Sequence, residues 1–201
     1  MKNINTTKSS LLLKGHFCMN KILNKVRYLV KDQFEETNWK YHIVPCIKYA
    51  KKLAKIFKIN EEVAELAALL HDIGRLKFGK RDHHITGVVE AEKILKKYKV
   101  SQNIIDDILH AIESHRGSIN ISPKTMLAKI IANADAMAHF DMLPIFFYWR
   151  ADKKTFEKTF LWVDNKMKRG WKKMTLPEAQ EIMKKKYESI RLLLDSVRGY
   201  I

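Results

Sequence analysis

The sequence has few of the features that mark disulfide-rich, β-rich or membrane-spanning proteins. Its two cysteines, Cys18 and Cys46, lie in no CxxC motif, so no disulfide framework is expected and a reducing compartment is the simpler interpretation. Only seven glycines and four prolines occur, and strand-like alternation of apolar and polar residues is absent. The longest apolar run, "VAELAALLHDI", is too short and too interrupted to cross a bilayer. We therefore expect a soluble, cytoplasmic protein without a membrane partner.

What the sequence does contain is a series of amphipathic helical patterns. Hydrophobic residues make up 46% of the chain and recur at three- and four-residue intervals. A chain of 201 residues can bury one sizeable core, and no stretch resembles a linker between two. We predict an all-α fold with one domain over residues 19–201, whose last third is a C-terminal helical extension. Residues 1–18 have no helical period and are predicted to be a tail that need not be ordered.

The formal net charge of +16 comes mostly from lysines on helix faces that are predicted to face solvent. A basic surface attracts polyanions of every kind, so the charge alone does not identify a ligand. No nucleic-acid-binding module and no basic strand with interleaved aromatic residues accompanies the charge. A small anionic substrate is therefore the preferred partner and nucleic acid the second choice, while the oligomeric state is left open.

Local signals place the first chemically interesting residues at helix ends. A helix is expected to begin near Tyr41, with Pro45 in its first turn, which puts His42 at or just before the helix start. Asn60 is a candidate N-cap for the next helix, because acidic residues follow it directly. That helix is rich in alanine and leucine and ends on the pair His71 and Asp72.

Further helices are predicted in the second half of the chain. One covers residues 86–98, and Ser101 can cap the next. Ser122-Pro123 has the pattern of a helix start, with serine as the cap and proline in the first helical position. The last third is expected to form two helices, broken around Gly170 and restarted at residues 175–177. Its regularly spaced apolar residues indicate core packing rather than a substrate-specific cap.

Ionisable residues within these apolar helices indicate chemistry. Neighbours in a regular helix point about 100° apart, so His71 and Asp72 can converge on one ion only where the helix ends. Gly74 is expected to supply the backbone freedom for that end. Asp135 lies among alanines, and a buried carboxylate needs a cation as its partner. Together with His42, this ordered set has the ligand types of a site for Mn, Fe, Co, Ni or Zn.

Five motifs in this order resemble those of the HD-domain metal-dependent phosphohydrolase superfamily, and in particular its small stand-alone hydrolases. The motifs are "YHIVPCIKYAKKLA", "AALLHDIGR", "HHITGVVEAEKIL", "AIESHRG" and "IIANADAMAHF", within about residues 20–140. The resemblance implies an all-helical HD bundle. It also implies that the metal ligands are His42, His71, Asp72 and Asp135.

Two extra histidines bear on whether one or two divalent ions are bound. In binuclear members of the superfamily, histidines of the regions that correspond to "HITG" and "AIESH" hold the second ion, which implies His84 and His115 here. The helical period supports His115, since it lies seven residues after Ile108 on the buried face, whereas His110 falls on the polar face. Periodicity does not decide between His83 and His84, and only the resemblance selects His84. Two ions are preferred over one.

The residues after the metal pair suggest a place for an anion. Arg75 and Lys77 lie in a predicted exposed basic loop, where they are candidates for phosphate binding; ordinary solvated cations are the alternative. His139 lies one turn after Asp135 and could orient that carboxylate, but it is left out of the predicted site because a packing role is more common.

The resemblance implies hydrolysis of a phosphate ester or anhydride, as in a phosphomonoesterase or phosphodiesterase, by a metal-activated water. The substrate is expected to be a nucleotide or a similar small anion. Asp72 would bridge the ions or orient the nucleophile, and Arg75 would neutralise developing negative charge. The alternative is a non-catalytic HD protein that senses a nucleotide or a metal, or binds RNA through its basic surface.

Overall fold

The protein is described from a computed structural model, which covers the backbone of residues 5–79, 82–116 and 121–201. Side chains are described for residues 19–75, 79, 82–116 and 121–201. These parts of the chain form helices and no strand, so the predicted all-α class is confirmed. The elements in chain order are α1 Asn5–Gln33, α2 Glu36–Asn38, a π-helical turn Trp39–Ile43, α3 Val44–Ile56, α4 Glu61–Leu70, α5 Ile73–Phe78, α6 His83–Lys97, α7 Gln102–Ser114, α8 Met126–Asp141, α9 Leu143–Ala151, α10 Phe156–Lys173 and α11 Pro177–Arg198.

Helix α8 is the central element of the bundle. It packs against α3, α4 and α7 on the N-terminal side of the chain and against α9, α10 and α11 on the C-terminal side. Its alanines are almost wholly buried, and their small side chains let several helices approach its backbone closely. The position of Asp135 on α8 therefore places a carboxylate in the middle of the molecule.

Several predicted helix starts agree with the structure. The side chain of Asn60 accepts hydrogen bonds from the backbone N–H groups of Glu62 and Val63, at 2.8 and 3.1 Å, and so caps α4. Pro45 lies in the first turn of α3, which puts His42 in the π-helical turn just before it. Ser101 occupies the cap position of α7 but makes no capping hydrogen bond with its side chain.

Other predicted boundaries are wrong. Helix α8 does not start at Ser122-Pro123, because Thr125 is its cap and accepts from the backbone N–H of Ala128 at 3.1 Å. Gly170 does not break a helix, since it lies inside α10, where the helix packs on the Phe140 ring. Helix α6 starts three residues earlier than predicted, and α9 is a separate helix.

The N-terminal segment 1–18 was predicted as a tail. Helix α1 begins at Asn5, so backbone of this segment from residue 5 onward is helical. Residues 1–4 and the side chains of residues 5–18 lie outside the described part. That the segment is separate from the domain stays a prediction. No helix in the described ranges is both long enough and apolar enough to cross a membrane.

Gly74 has a different role from the one predicted. It lies inside α5, and a Cβ atom there would lie 2.3 Å from the carbonyl oxygen of His83 and 2.5 Å from the backbone nitrogen of Gly87. Glycine is thus required because α5 and α6 touch backbone to backbone. Helical geometry is interrupted instead at Asp72, which lies between α4 and α5 and whose φ of −107° and ψ of 10° lie in the bridge region.

Candidate metal centre

The ends of four helical elements and the middle of α8 bring seven ionisable side chains together. The π-helical turn contributes one histidine, the end of α4 a histidine and an aspartate, and the start of α6 and the end of α7 one histidine each. All but one are buried residues, and the last is partly exposed. The seven are His42, His71, Asp72, His83, His115, Asp135 and His139.

One cluster forms around His42. Its Nε2 atom lies 3.3 Å from Oδ2 of Asp72 and 3.4 Å from Oδ1 of Asp135. Nε2 of His71 lies 3.2 Å from Nε2 of His42 and 3.8 Å from the same two carboxylate oxygens. The Nε2 atoms of both histidines therefore lie near one carboxylate oxygen of Asp72 and one of Asp135.

A second cluster shares Asp72 with the first. The other oxygen of its carboxylate, Oδ1, lies 3.2 Å from Nε2 of His83 and 3.7 Å from Nε2 of His115. These two histidine nitrogens are 3.4 Å apart. Each oxygen of Asp72 thus belongs to a different group of histidines.

Backbone carbonyls fix the tautomers of two of these histidines. Nδ1–H of His71 donates to the carbonyl oxygen of Ala68 at 2.7 Å, and Nδ1–H of His115 donates to that of Ile112 at 2.6 Å. Both carbonyls belong to the last turn of a helix, where no intrahelical donor is available. A carbonyl can only accept, so the lone pair of each ring is on Nε2, directed at the clusters.

The charge states also suit metal ligands. Burial lowers the pKa of His71 to about 4, so this imidazole is neutral at neutral pH, which is the ligand form. Burial raises the pKa of the Asp72 and Asp135 carboxyl groups, but nearby imidazoles and the cations of Arg75 and Lys173 outweigh it. Both pKa values therefore lie well below the ordinary value, and both groups are carboxylates.

The donor set of each cluster fits a divalent cation. Nitrogen lone pairs that converge with carboxylate oxygens, as that of His71 does, repel one another unless a positive charge lies between them. A borderline cation accepts this mixture of nitrogen and oxygen ligands. The groups of residues that could hold an ion are His42 with His71 and Asp72, His42 with Asp135 and His139, and Asp72 with His83 and His115.

The geometry favours His83 over the predicted ligand His84. His83 faces Asp72 and His115, whereas Nδ1 of His84 lies 3.2 Å from a guanidinium nitrogen of Arg116, outside both clusters. The two histidines are neighbours in the first turn of α6, so they point in different directions from the helix. The structure therefore brings His83 rather than the predicted His84 to Asp72 and His115, and which of the two binds an ion stays a prediction.

The helical-face argument for α7 agrees with the structure. His115 is only 2% exposed and reaches the second cluster. His110 stays on the outer side, where its Nε2 accepts a hydrogen bond from the backbone N–H of Lys124 at 2.9 Å. The structure thus brings His115 and not His110 to Asp72.

Other predicted site residues are placed as follows. Arg75 lies in α5 rather than in a loop, and its guanidinium donates to Oδ2 of Asp72 at 2.6 Å. Lys77 is in the same helix, but its side chain lies outside the described residues.

His139, which was left out of the predicted site, stacks on the His42 ring and lies 3.8 Å from Oδ1 of Asp135. The sequence did contain a signal for His139, because its i, i+4 spacing from Asp135 places both side chains on the same face of α8.

Helix α10 adds residues that sequence reasoning missed. The ammonium group of Lys173 donates to Oδ2 of Asp135, across 38 positions in the sequence. Lys173 belongs to a cavity of about 590 Å³ beside the clusters. Among the described residues, its lining includes Asp72 and Asp135 together with six cationic side chains, which are Arg75, Arg116, Lys166, Arg169, Lys172 and Lys173.

The comparison with protein families decides the assignment of the fold. The protein-family model of the HD domain matches residues 39–139 of this chain. The chain belongs to the HD domain family. HD domains bind divalent metals and are usually metal-dependent phosphohydrolases. The predicted family is confirmed. Four of the seven clustered residues fall in the first half of the matched segment.

Curated relatives share the HD region but are longer proteins. Ribonuclease Y of Symbiobacterium thermophilum is 34% identical over 99 residues, which cover 48% of this chain and 17% of that protein. The tRNA (cytidine(56)-2'-O)-methyltransferase of Picrophilus torridus is 32% identical over 116 residues, covering 51% of this chain and 32% of that protein. The chain thus spans under a third of the length of these relatives.

Solved structures share the fold over more of the chain. Bacillus subtilis YpgQ, crystallised in complex with ADP, superposes with a TM-score of 0.73 over 92% of this chain and 97% of that chain, at 18% identity. A predicted HD superfamily hydrolase from an uncultured Thermotogales bacterium has a TM-score of 0.50 and 26% identity over 75% of this chain and 89% of its own. The first likeness extends beyond the HD match into the C-terminal helices.

The adjacent histidines of α6 provide a matched pair of variants. We expect His83→Ala to lower the metal content of the purified protein and His84→Ala to leave it near that of the wild type. Loss of one imidazole from a three-ligand cluster removes a large part of the affinity for its ion, whereas His84 contacts Arg116 instead. Elemental analysis of both variants checks this, and the opposite ranking would restore His84 as the ligand.

Proposed function

We propose that this protein is a phosphohydrolase that uses two divalent ions to cleave a phosphate ester or anhydride. The observation that carries the proposal is the Asp72 carboxylate, whose two oxygens face two separate groups of histidines. Two cations at close range repel, and a shared carboxylate offsets that repulsion. A single-ion site would need only one of these groups.

The residues of the chain have distinct roles in this proposal. His42, His71, Asp72 and Asp135 would hold one ion, and Asp72, His83 and His115 would hold the other. When bound, such ions supply Lewis acidity and a water of lowered pKa. In the reaction the water oxygen forms a new bond to phosphorus, the ester or bridging oxygen leaves with its electron pair, and the proton of the water passes to the leaving group or to solvent.

Cations beside the clusters hold the substrate and the ligands in place. Arg75 contacts Asp72 and lines the cavity, so its guanidinium can hold a phosphate oxygen while it orients the carboxylate. Lys173 orients Asp135 in the same way through Oδ2, which leaves Oδ1 facing His42. Lys77 is kept as a proposed phosphate contact from the sequence alone.

A nucleotide or a similar small anion is the proposed substrate. The cavity is of a size that suits a small molecule, and its positive charge suits phosphate groups. ADP, which was crystallised with YpgQ, is a reasonable first probe because that protein has the same fold.

A second candidate function is RNA binding, with or without cleavage. It is favoured by the names of the curated relatives, a ribonuclease and a tRNA methyltransferase, and by the formal net charge of +16. Binding of this kind would be strongly salt-dependent and would survive removal of the metal ligands.

Metal analysis followed by a substrate panel tests the proposed function. The freshly purified protein is expected to contain about two ions per chain, as the double cluster predicts. Activity should require Mn, Fe, Co, Ni or Zn, disappear with a chelator and return with the ion. The panel contains nucleoside mono-, di- and triphosphates, a generic phosphodiester and an RNA oligonucleotide. Metal-independent RNA binding without hydrolysis of any of these compounds would favour the second function.

A further inference from the structure

One wall of the cavity comes from a helix that the family match does not include. The HD match ends at residue 139, whereas α10 begins at Phe156 and still lines the cavity beside Asp72 and Asp135. Helix α10 packs against α8 at Gly170, on the ring of Phe140. This contact brings the turns on both sides of Gly170 to the edge of the metal clusters.

The cations of α10 share one side of the helix. Lys166, Arg169 and Lys173 follow one another at positions i, i+3 and i+7, which lie on one helical face, and Lys172 adds a fourth charge. From Lys166 to Lys173 the helix rises by about 10 Å. The charges therefore form a row that leads away from Asp135 rather than a single point.

Most of these cations lack a carboxylate partner in the described part of the chain. Lys173 is paired with Asp135, but among the described residues no carboxylate lies within salt-bridge distance of Lys166, Arg169 or Lys172. Lys166 is held instead over two aromatic rings, with its ammonium nitrogen 4.8 Å from the centroid of Phe146 and 5.8 Å from that of Trp162. A partly buried cation that lacks a counter-ion carries an unfavourable desolvation term, which an anionic ligand would relieve.

The total charge of the cavity indicates what kind of anion fits. Its described lining has six cationic side chains against two carboxylates, and two divalent ions would add further positive charge. One phosphate group would neutralise only a small part of this charge. An RNA backbone carries a single charge on each phosphate and spreads it along an extended chain, whereas this charge is concentrated in one cavity. A short chain of linked phosphates matches it better.

We propose that Lys166, Arg169 and Lys172 form a subsite for the phosphates that are not attacked, so that the substrate is a compound with two or more linked phosphate groups. The reacting phosphate would lie at the metal clusters, and this part of the inference rests on the proposed function. The subsite itself depends only on α10, and it makes the C-terminal extension the part of the chain that selects the substrate.

Binding measurements test the subsite without any reaction. Calorimetry with inorganic triphosphate and with inorganic phosphate is performed on the protein as purified and after treatment with a chelator, because triphosphate itself binds metal ions. Lys166→Met keeps the apolar stem against the aromatic rings and removes the charge, while Arg169→Gln removes the charge of an exposed side chain. Lys158→Gln, an exposed position of the same helix away from the cavity lining, is the control for net charge.

The expected result is a difference between ligands and between variants. Wild-type protein should bind triphosphate more tightly than phosphate, and both cavity variants should weaken triphosphate by about tenfold or more, as expected for loss of a hydrogen bond to a charged group. Lys158→Gln should bind triphosphate as the wild type does. Equal binding of triphosphate by all four proteins would overturn the proposal, as would variants that lose affinity for an RNA oligonucleotide but not for triphosphate.

Kinetics separate failure of the subsite from failure of the proposed function. If the protein hydrolyses nucleotides, kcat/KM should rise from nucleoside mono- to di- to triphosphate, and Lys166→Met should flatten this ranking more than it lowers activity on the monophosphate. Hydrolysis with no dependence on phosphate number would refute the subsite alone. Variant-sensitive triphosphate binding without hydrolysis of any phosphate would refute the proposed function and keep the subsite.

Discussion

Asp72→Ala is expected to abolish phosphate hydrolysis while leaving a folded, helical protein. Asp72 is the side chain that faces both groups of histidines, so its removal takes a ligand from each proposed ion and removes the charge that holds the two together. Added Mn or Ni should not restore activity, because excess metal raises occupancy but does not replace a bridging ligand. Activity on the best substrate of the panel, with the metal content of the same sample, measures the effect.

The fold should tolerate this change better than it would tolerate truncation of a core side chain. Loss of a large apolar core residue costs about 2–5 kcal/mol because it leaves a cavity, whereas Asp72 lies at a helix end beside an open cavity. Bound metal stabilises the native state, so melting temperatures must be compared between metal-stripped samples. Asp72→Asn keeps the shape and serves as a second test if the alanine variant is poorly soluble.

An exposed aspartate supplies the control. Asp32 lies on the surface of α1, and Asp32→Ala should leave metal content and activity unchanged. If Asp72→Ala hydrolysed phosphate compounds at the wild-type rate, the chemistry could not be centred on this carboxylate. The clusters would then be structural or sensory, as in the non-catalytic alternative.

The residues that were predictable from sequence are those whose position depends on local helical pattern. His71 and Asp72 end an apolar helix, Asp135 lies among alanines, and the helical period places His115 inside. The apolar pattern of each helix predicts which face is buried, and burial of these faces brings the residues together in the structure. Whether they bind metal stays a prediction.

Residues whose place depends on contact between distant helices were not predictable. Nothing in the run around Lys166 and Lys173 distinguishes these lysines from solvent-exposed ones until α10 is packed across α8. His83 and His84 differ by one helical position, so a shift of the helix start decides which of them faces Asp72. The predicted start of α8 was wrong because two nearby residues, Ser122 and Thr125, are both suitable caps, and the structure uses Thr125.

Gly74→Ala is expected to destabilise the protein strongly, although an alanine inside a helix usually stabilises by about 0.5–1 kcal/mol relative to glycine. The added Cβ would lie 2.3 Å from the carbonyl oxygen of His83 and 2.5 Å from the backbone nitrogen of Gly87. Backbone atoms cannot move aside as a flexible side chain can, so α5 and α6 would have to separate. Overpacking of this kind costs about 1–3 kcal/mol or more.

The same displacement should act on the second cluster. The atom that the new methyl group meets first belongs to His83, whose imidazole lies 3.2 Å from Asp72. Moving the start of α6 away from α5 therefore lengthens this distance, whereas the contacts of His42 and His71 with Asp72 and Asp135 involve no residue of α6. We expect Gly74→Ala to lose metal from the second cluster before the first, so that the purified variant keeps about one of two ions.

Gly199→Ala is the matched control, because a Cβ atom there meets nothing within 4 Å and its φ of −68° suits alanine. Thermal unfolding of metal-stripped samples should show a lower melting temperature for Gly74→Ala than for Gly199→Ala, which should match the wild type. Elemental analysis of the untreated samples then gives the number of ions. If the two variants were equally stable and held equal metal, the close contact of α5 with α6 would not be what positions His83 opposite Asp72.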